Sequence, residues 1–299
     1  MNARRLASAV GLVLVATGAS AQVVSRTVGS VTFRADLTHA RPGGVIIARL
    51  ASKSRLGTAY AVLDGRRAPF FPSRLGPRAL VPVPVDSPGG PNTLGFELSS
   101  RRGRQRIPME IQIGSADYPP RSVTIPEARR GLLSTPGVVT ESRRLLMLLR
   151  TLTPALVAGL PLRPPLGVSP AVSFGSPQNW VGGSPVEELM DAVYGDRHRG
   201  LDFEGAAGMV ATAPAAGTVL FAGSRTLTGG TVVIDHGQGI VSLLAHLARE
   251  DASEGQRLEA GAPVGLVGDT GLVHAPHLHW AVYLHGIAVD PRVLLALSD

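Results

Sequence analysis

The sequence predicts a mainly β protein: an N-terminal immunoglobulin-like β-sandwich and a C-terminal antiparallel β-sheet domain, joined by a helical, proline-rich connector. Three observations predict it. Short β-rich runs split by turn residues recur at roughly ten-residue spacing between Ser30 and Pro126, as in a sandwich. The 36 glycines break nearly every later β-rich run, which implies tight hairpins. The chain has 299 residues, enough for two domains, and its 44% hydrophobic content is that of a globular protein.

The first 21 residues stand apart. Arg4 and Arg5 precede an apolar stretch from Leu6 to about Thr17, and Ala19-Ser20-Ala21 follows with small side chains. This is the pattern of a secretory signal peptide, with cleavage expected after Ala21. Its apolar core is too short for a bilayer span, and no later apolar run reaches spanning length. The mature chain is therefore expected to be exported, periplasmic or extracellular, without a stable membrane span. It has no cysteine, so its stability must come from an ordinary core or a metal.

Formal net charge is +7, carried almost wholly by arginine, since Lys53 is the single lysine. A basic balance suits an anionic partner. The excess forms no stripe interleaved with aromatics, and only 4% of residues are aromatic, so nucleic-acid binding is not expected.

The sandwich is expected over residues 22–128. "VTFRADL", "GVIIARL", "TAYAVLDG", "ALVPVPV", "TLGFEL" and "IPMEIQI" read as its strands. Asp64-Gly65 is a hairpin turn, and Asp86 to Asn92 a loop. No catalytic constellation appears here, which leaves a scaffold or docking role. The connector is expected over 129–170. It holds a helix from Thr140 to Leu152, with Thr140 as N-cap and Glu141 in the first turn, then a proline-rich stretch packed along the second domain. Residues 171–299 form that domain. Ser184-Pro185-Val186-Glu187 reads as a capping box opening a short helix to about Tyr194. Then "GTVLFAG", "TVVIDHG", "GIVSLLAHL", "APVGLVG" and "HLHWAVYLHG" read as strands.

Seven of the eight histidines lie between 198 and 285. In "HRGLDF", His198 and Asp202 are four apart, a spacing that puts both on one face of a strand, and Gly200 permits a bend that converges them. An imidazole with a carboxylate suits Zn²⁺. Such a pair also arises by accident. In "HLHWAV", His277 and His279 share one strand face, while Leu278 and Trp280 share the other, which suits a core. Standing alone, the two histidines could equally face solvent on an edge strand. His198 and Asp202 weigh against that, because a catalytic zinc takes three protein ligands and keeps one open position. In "IVSLLAHLA", alternation places Ile240, Ser242, Leu244 and His246 on one face.

Taken in order, "HRGLDF", "DHGQGIVSLLAHL" and "GDTGLVHAPHLHW" resemble the lysostaphin/LytM-type zinc metallopeptidases, over about His198 to Pro291. The resemblance implies that His198, Asp202 and His279 ligate zinc and that His246 and His277 are the catalytic pair. It also implies an activated water as nucleophile and peptidoglycan stems or cross-bridges as substrate, for a zinc endopeptidase that acts at the cell wall. Separately from the resemblance, the chain is expected to be a monomer. The chain lacks the H-E-x-x-H helix of glutamate-base zinc proteases.

Some positions depart from the family pattern. Leu244 stands where tyrosine is usual, and His274-Ala275 where Thr-Gly is common. Phe174-Gly175 lacks the arginine that often follows, and the stretch leading to His198 is differently built. These departures bear on substrate preference. Among the remaining histidines, His236 is expected to brace a hairpin, His274 and His285 to sit at the rim, and His39 to be exposed. A lipoyl- or biotin-carrier role is excluded, because Lys53 is far from any hairpin tip of the second domain. The alternative function is a non-catalytic relative that binds cell wall or activates an amidase. The helix at 184–194 is placed to lie over the cleft and make the enzyme latent.

Overall fold

Period-two alternation sorts the side chains of the first of two units, Met1–Ala116. The computed structural model describes residues 12–15, 23–52, 57–100, 103–156, 159–181, 195–204 and 207–297. One antiparallel sheet has the order β1 (Leu12–Val15), β2 (Val23–Val28), β3 (Val31–His39), β4 (Val45–Ser52), β7 (Arg78–Pro82). The other has the order β6 (Arg66–Pro69), β5 (Ala59–Leu63), β8 (Gly90–Ser100), β9 (Gly103–Ile113). Along β9, Ile107, Met109, Ile111 and Ile113 are buried and the residues between them exposed. They join Phe33, Ile46 and Phe96 in one core drawn from both sheets, with the Phe33 and Phe96 rings 4.9 Å apart.

Asp64 and Gly65, both at positive φ, turn β5 into β6 as a two-residue loop, and no Cβ contact constrains Gly65. β1 falls within the expected signal segment and pairs with β2; the rest of that segment lies outside the described residues. His39 is half-buried rather than exposed. The loop after it doubles back so tightly that a Cβ on Gly44 would meet the His39 carbonyl at 1.9 Å.

The second unit is Asp117–Asp299, so the boundary falls at Ala116 rather than at residue 128, and the connector belongs to this unit. The cause is pairing: β10 (Arg121–Thr124) runs parallel to β11 (Gln178–Val181). A helical turn α1 (Glu127–Arg130), a 3₁₀ turn (Gly131–Ser134) and helix α2 (Val138–Leu149) follow β10. Helix α2 starts before Thr140, because Gly137 at φ 84° turns the chain and its carbonyl accepts from Glu141 N. The Glu141 carboxylate instead accepts from the backbone N–H and hydroxyl of Thr226. The proline-rich stretch bonds along the second unit: Leu162 N–H donates to Leu294 O, Arg163 N–H to Pro214 O, and Thr212 N–H to Pro165 O.

The main sheet is antiparallel throughout. Its path runs β12 (Leu201–Glu204), β19 (His277–Leu284), β16 (Ile240–Glu250), β15 (Gly229–Gly237), β14 (Gly217–Arg225), β17 (Arg257–Leu258). Short β13 (Val210–Thr212) pairs with β18 (Pro263–Val267), which pairs with β16, and β20 (Ile287–Val289) pairs with β19. Helix α3 (Pro291–Ala296) closes the chain, capped by the Asp290 carboxylate. The helix expected over 184–194 lies outside the described residues.

Replacing Phe96 with alanine removes a fully buried ring from the first unit's core. It should cost about 3–5 kcal/mol, read as a lower urea midpoint at unchanged slope.

Candidate metal and catalytic site

Strand register builds the site. Directly opposed residues of an antiparallel pair project to one face. Asp202 on β12 faces His279 on β19, and Ala245 on β16 faces His279 from the other side. His277 and His279 therefore share the face of Asp202, while Leu278 and Trp280, both fully buried, fill the core beneath. Under Trp280, Ser242 Oγ accepts from the indole N–H and donates to His236 Nε2, whose Nδ1–H is bonded to Ala216 O. His236 thus braces the hairpin.

His246 breaks the alternation. Leu244 opposes Trp280, so strict period two would send His246 into the core. Instead His246 adopts φ 66°, where β16 leaves β19 and takes up β18. The left-handed residue turns the ring to the site, 4.8 Å from the His277 ring and 6.1 Å from that of His279. Such a conformation is uncommon outside glycine and marks a constrained position.

His198 sits just before β12 on a braced loop. Its N–H donates to Ser176 O, its carbonyl accepts from Gly175 N, and its Nδ1 is 2.9 Å from Ser173 O. Gly175, at φ 85°, lies against Tyr118, and Phe174 beside it is fully buried. Gly200 has a steric role besides its bend: a Cβ there would stand 2.6 Å from the His279 ring.

The predicted residues converge. Asp202 Oδ1 lies 2.9 Å from His198 Nε2 and 2.8 Å from His279 Nδ1, and those two nitrogens are 3.1 Å apart. His277 Nε2 is 3.8 Å from the same oxygen. His198, Asp202, His246 and His277 are buried and His279 half-buried, while His274 is exposed with its ring 6.0 Å from that of His277. His285 is half-buried on the turn to β20.

Carbonyl oxygens only accept, so they set the tautomers. Ser173 O, Thr270 O and Ala275 O take the Nδ1–H of His198, His246 and His277 respectively. Each ring then presents Nε2 to the site. The contact of His198 Nε2 with Asp202 Oδ1 is bridged either by a proton on Nε2 or by a cation shared between the two atoms. Two imidazoles and one carboxylate, with donor atoms within 4.8 Å of one another, fit a zinc-type site.

Burial works to raise the Asp202 carboxyl, but attraction and bonding from His198 and His279 outweigh it and hold it well below the usual range. Burial lowers His279 despite its carboxylate partner, and burial with repulsion from His277 and His279 lowers His246 strongly.

Arg121, Ser173 and Thr270 were not singled out by sequence reasoning. Arg121 Nη1 donates to Asp202 Oδ2 at 3.1 Å, a contact across 81 positions that no local pattern signals. Thr270 belongs to "GDTG", and its hydroxyl donates to Leu247 O and accepts from Gly230 N.

Residues 196–291 match the model of peptidase family M23. This region is an M23 peptidase domain. DD-carboxypeptidase/endopeptidase Mpg of Neisseria meningitidis is 35% identical over 94 residues, 31% of this chain and 22% of that protein. Peptidoglycan DD-endopeptidase ShyC of Vibrio cholerae is 32% identical over 97 residues, 32% of this chain and 22% of that one. The matches thus take in about a fifth of these curated relatives' length. Beyond the M23 domain, a crystal structure of a peptidase M23 from Pseudomonas aeruginosa aligns with TM-score 0.60 at 27% identity, covering 86% of this chain and 95% of that one.

Gly200→Ala should displace the His279 ring and weaken metal binding about 10–100-fold, read by competitive metal titration with an unchanged circular dichroism spectrum. His236, His246 and His279 are all lowered, His236 chiefly by burial. Below about pH 6.5 the unfolded chain therefore takes up protons that the folded chain refuses. The stability contributed by the neutral rings is complete above that pH and is lost as pH falls through the folded values. Melting temperature of the metal-free protein should fall from about pH 7.5 to about pH 5, and His236→Gln should flatten that slope.

Proposed function

We propose that this chain is an exported, zinc-dependent endopeptidase that hydrolyses peptide bonds in bacterial peptidoglycan stems or cross-bridges. The convergence of five side chains in the M23 domain carries this reading: His198, Asp202 and His279 as the ligand set, His246 and His277 as the pair beside it. The names of the Mpg and ShyC relatives support the substrate. Export rests on the signal pattern of residues 1–21, and no helix among the described residues is long and apolar enough to cross a membrane. For the first unit we propose an immunoglobulin-like sandwich, supported by its two antiparallel sheets around one core.

A bound zinc ion would supply Lewis-acid polarisation of the scissile carbonyl and acidification of a water. The protein's own groups handle the protons. His246 and His277 carry lone pairs at Nε2, with each Nδ1–H tied to a backbone carbonyl that fixes the ring. One Nε2 can accept a proton from the attacking water; a protonated ring can hydrogen-bond the oxyanion and return a proton to the leaving amine. Burial keeps His246 neutral near pH 7, which is the form a base needs. The non-catalytic alternative is not favoured, because the chain retains and assembles all five groups.

The test combines metal analysis with muropeptide digestion. The wild type should bind one zinc and release peptide fragments; bound zinc without fragments would reject peptidoglycan as substrate. Asp202→Ala and His279→Ala should lose the metal. His246→Ala should keep it and lose about 10²–10⁴-fold in turnover.

A further inference from the structure

The site opens into a groove whose floor is the histidine cluster. One wall is β10 and β11, with Arg121, Thr124, Gln178 and Trp180; Val273 and His274 line it as well. The β10 wall is built in rather than laid on. Ile125, at its end, is 2% exposed and packs with Val138, Leu227 and Leu272, and Arg129 Nη1 donates to Gly271 O. The strand is thus fixed to the loops that carry Thr270 and His274.

The groove is cationic. Arg121 and Arg199 line it, and Asp202 is its one carboxylate among the described residues, already engaged by His198 and His279. The Arg121 side chain is 20% exposed, its backbone N–H is held by Pro177 O, and its Nη1 is spent on Asp202. Its remaining N–H donors have no partner among the described residues. A guanidinium offers five donors in a planar fork that matches a carboxylate. One edge of this fork is used, and another remains for a ligand.

Position limits which carboxylate it can be. Nη1 stands 3.1 Å from the carboxylate whose other oxygen touches both ligand imidazoles. An extended peptide advances about 3.3–3.6 Å per residue. A carboxylate on the far edge of Arg121 therefore lies within about two residues of a bond cleaved at the cluster.

We propose that Arg121 is a specificity-determining residue that binds a free carboxylate of the substrate peptide within about two residues of the scissile bond. This rests on the reading of the groove as a peptidase site. A charge-assisted fork of this kind favours the free acid over its amide by about 10–100-fold.

The experiment uses the full-length zinc-loaded protein carrying His246→Ala, so that peptides bind without turnover. Synthetic stem peptides, with each carboxylate amidated in turn, are titrated by calorimetry against this protein and against versions that also carry Arg121→Met or Arg121→Lys. Zinc content and circular dichroism verify each protein. One amidation should weaken binding about 10–100-fold, Arg121→Met should erase that difference, and Arg121→Lys should restore only part of it. The proposal is overturned if no peptide binds, if no amidation matters, or if the acid preference survives Arg121→Met. It is equally overturned if Arg121→Met weakens acid and amide alike, since Arg121 would then act only as the partner of Asp202. Digestion by the wild type, run in parallel, tests the peptidase reading separately.

Discussion

Asp202 Oδ1, His198 Nε2 and His279 Nδ1 lie within 3.1 Å of one another in a largely buried place. The Nδ1–H of His198 is committed to Ser173 O, so Nε2 is the atom that meets the carboxylate, and such a trio suits a shared cation. Arg121 supports it from outside by taking Oδ2. The rest of the second unit can be understood as the framework that keeps these atoms close: the braced loop of Ser173 to Ser176, the β12–β19 register, and the absence of a side chain at Gly200.

The second imidazole pair depends on a different device. β16 serves two neighbours, β19 along its first half and β18 beyond, and His246 sits where it changes partner. A left-handed residue at that joint reverses the side-chain direction without ending the strand. Thr270 then holds the ring by its carbonyl and the joint by its hydroxyl, so one residue of "GDTG" links the position of the His246 ring to sheet geometry.

What could be read in advance follows from what is local. Histidines two apart in "HLHWAV" must share a strand face, and the buried Leu278 and Trp280 are the complement of that rule. Asp64-Gly65 announces its turn in two residues. The same rule misplaces His246, because alternation carries no information about where a strand changes partner. Thr140 looked like a helix cap, but Gly137 made the turn three residues earlier. The parallel pairing of Arg121–Thr124 with Gln178–Val181, and with it the place of Arg121, is a long-range contact that no short pattern encodes.

Zinc K-edge absorption on the stoichiometrically loaded protein tests the central claim most directly. The account predicts one zinc per chain with two imidazole nitrogens at about 2.0–2.1 Å and a carboxylate oxygen at about 2.0–2.2 Å, a first shell that Asp202→Asn disrupts and His246→Ala leaves intact. A shell of three or four imidazoles, or one that changes with His246 and not with Asp202, would contradict it.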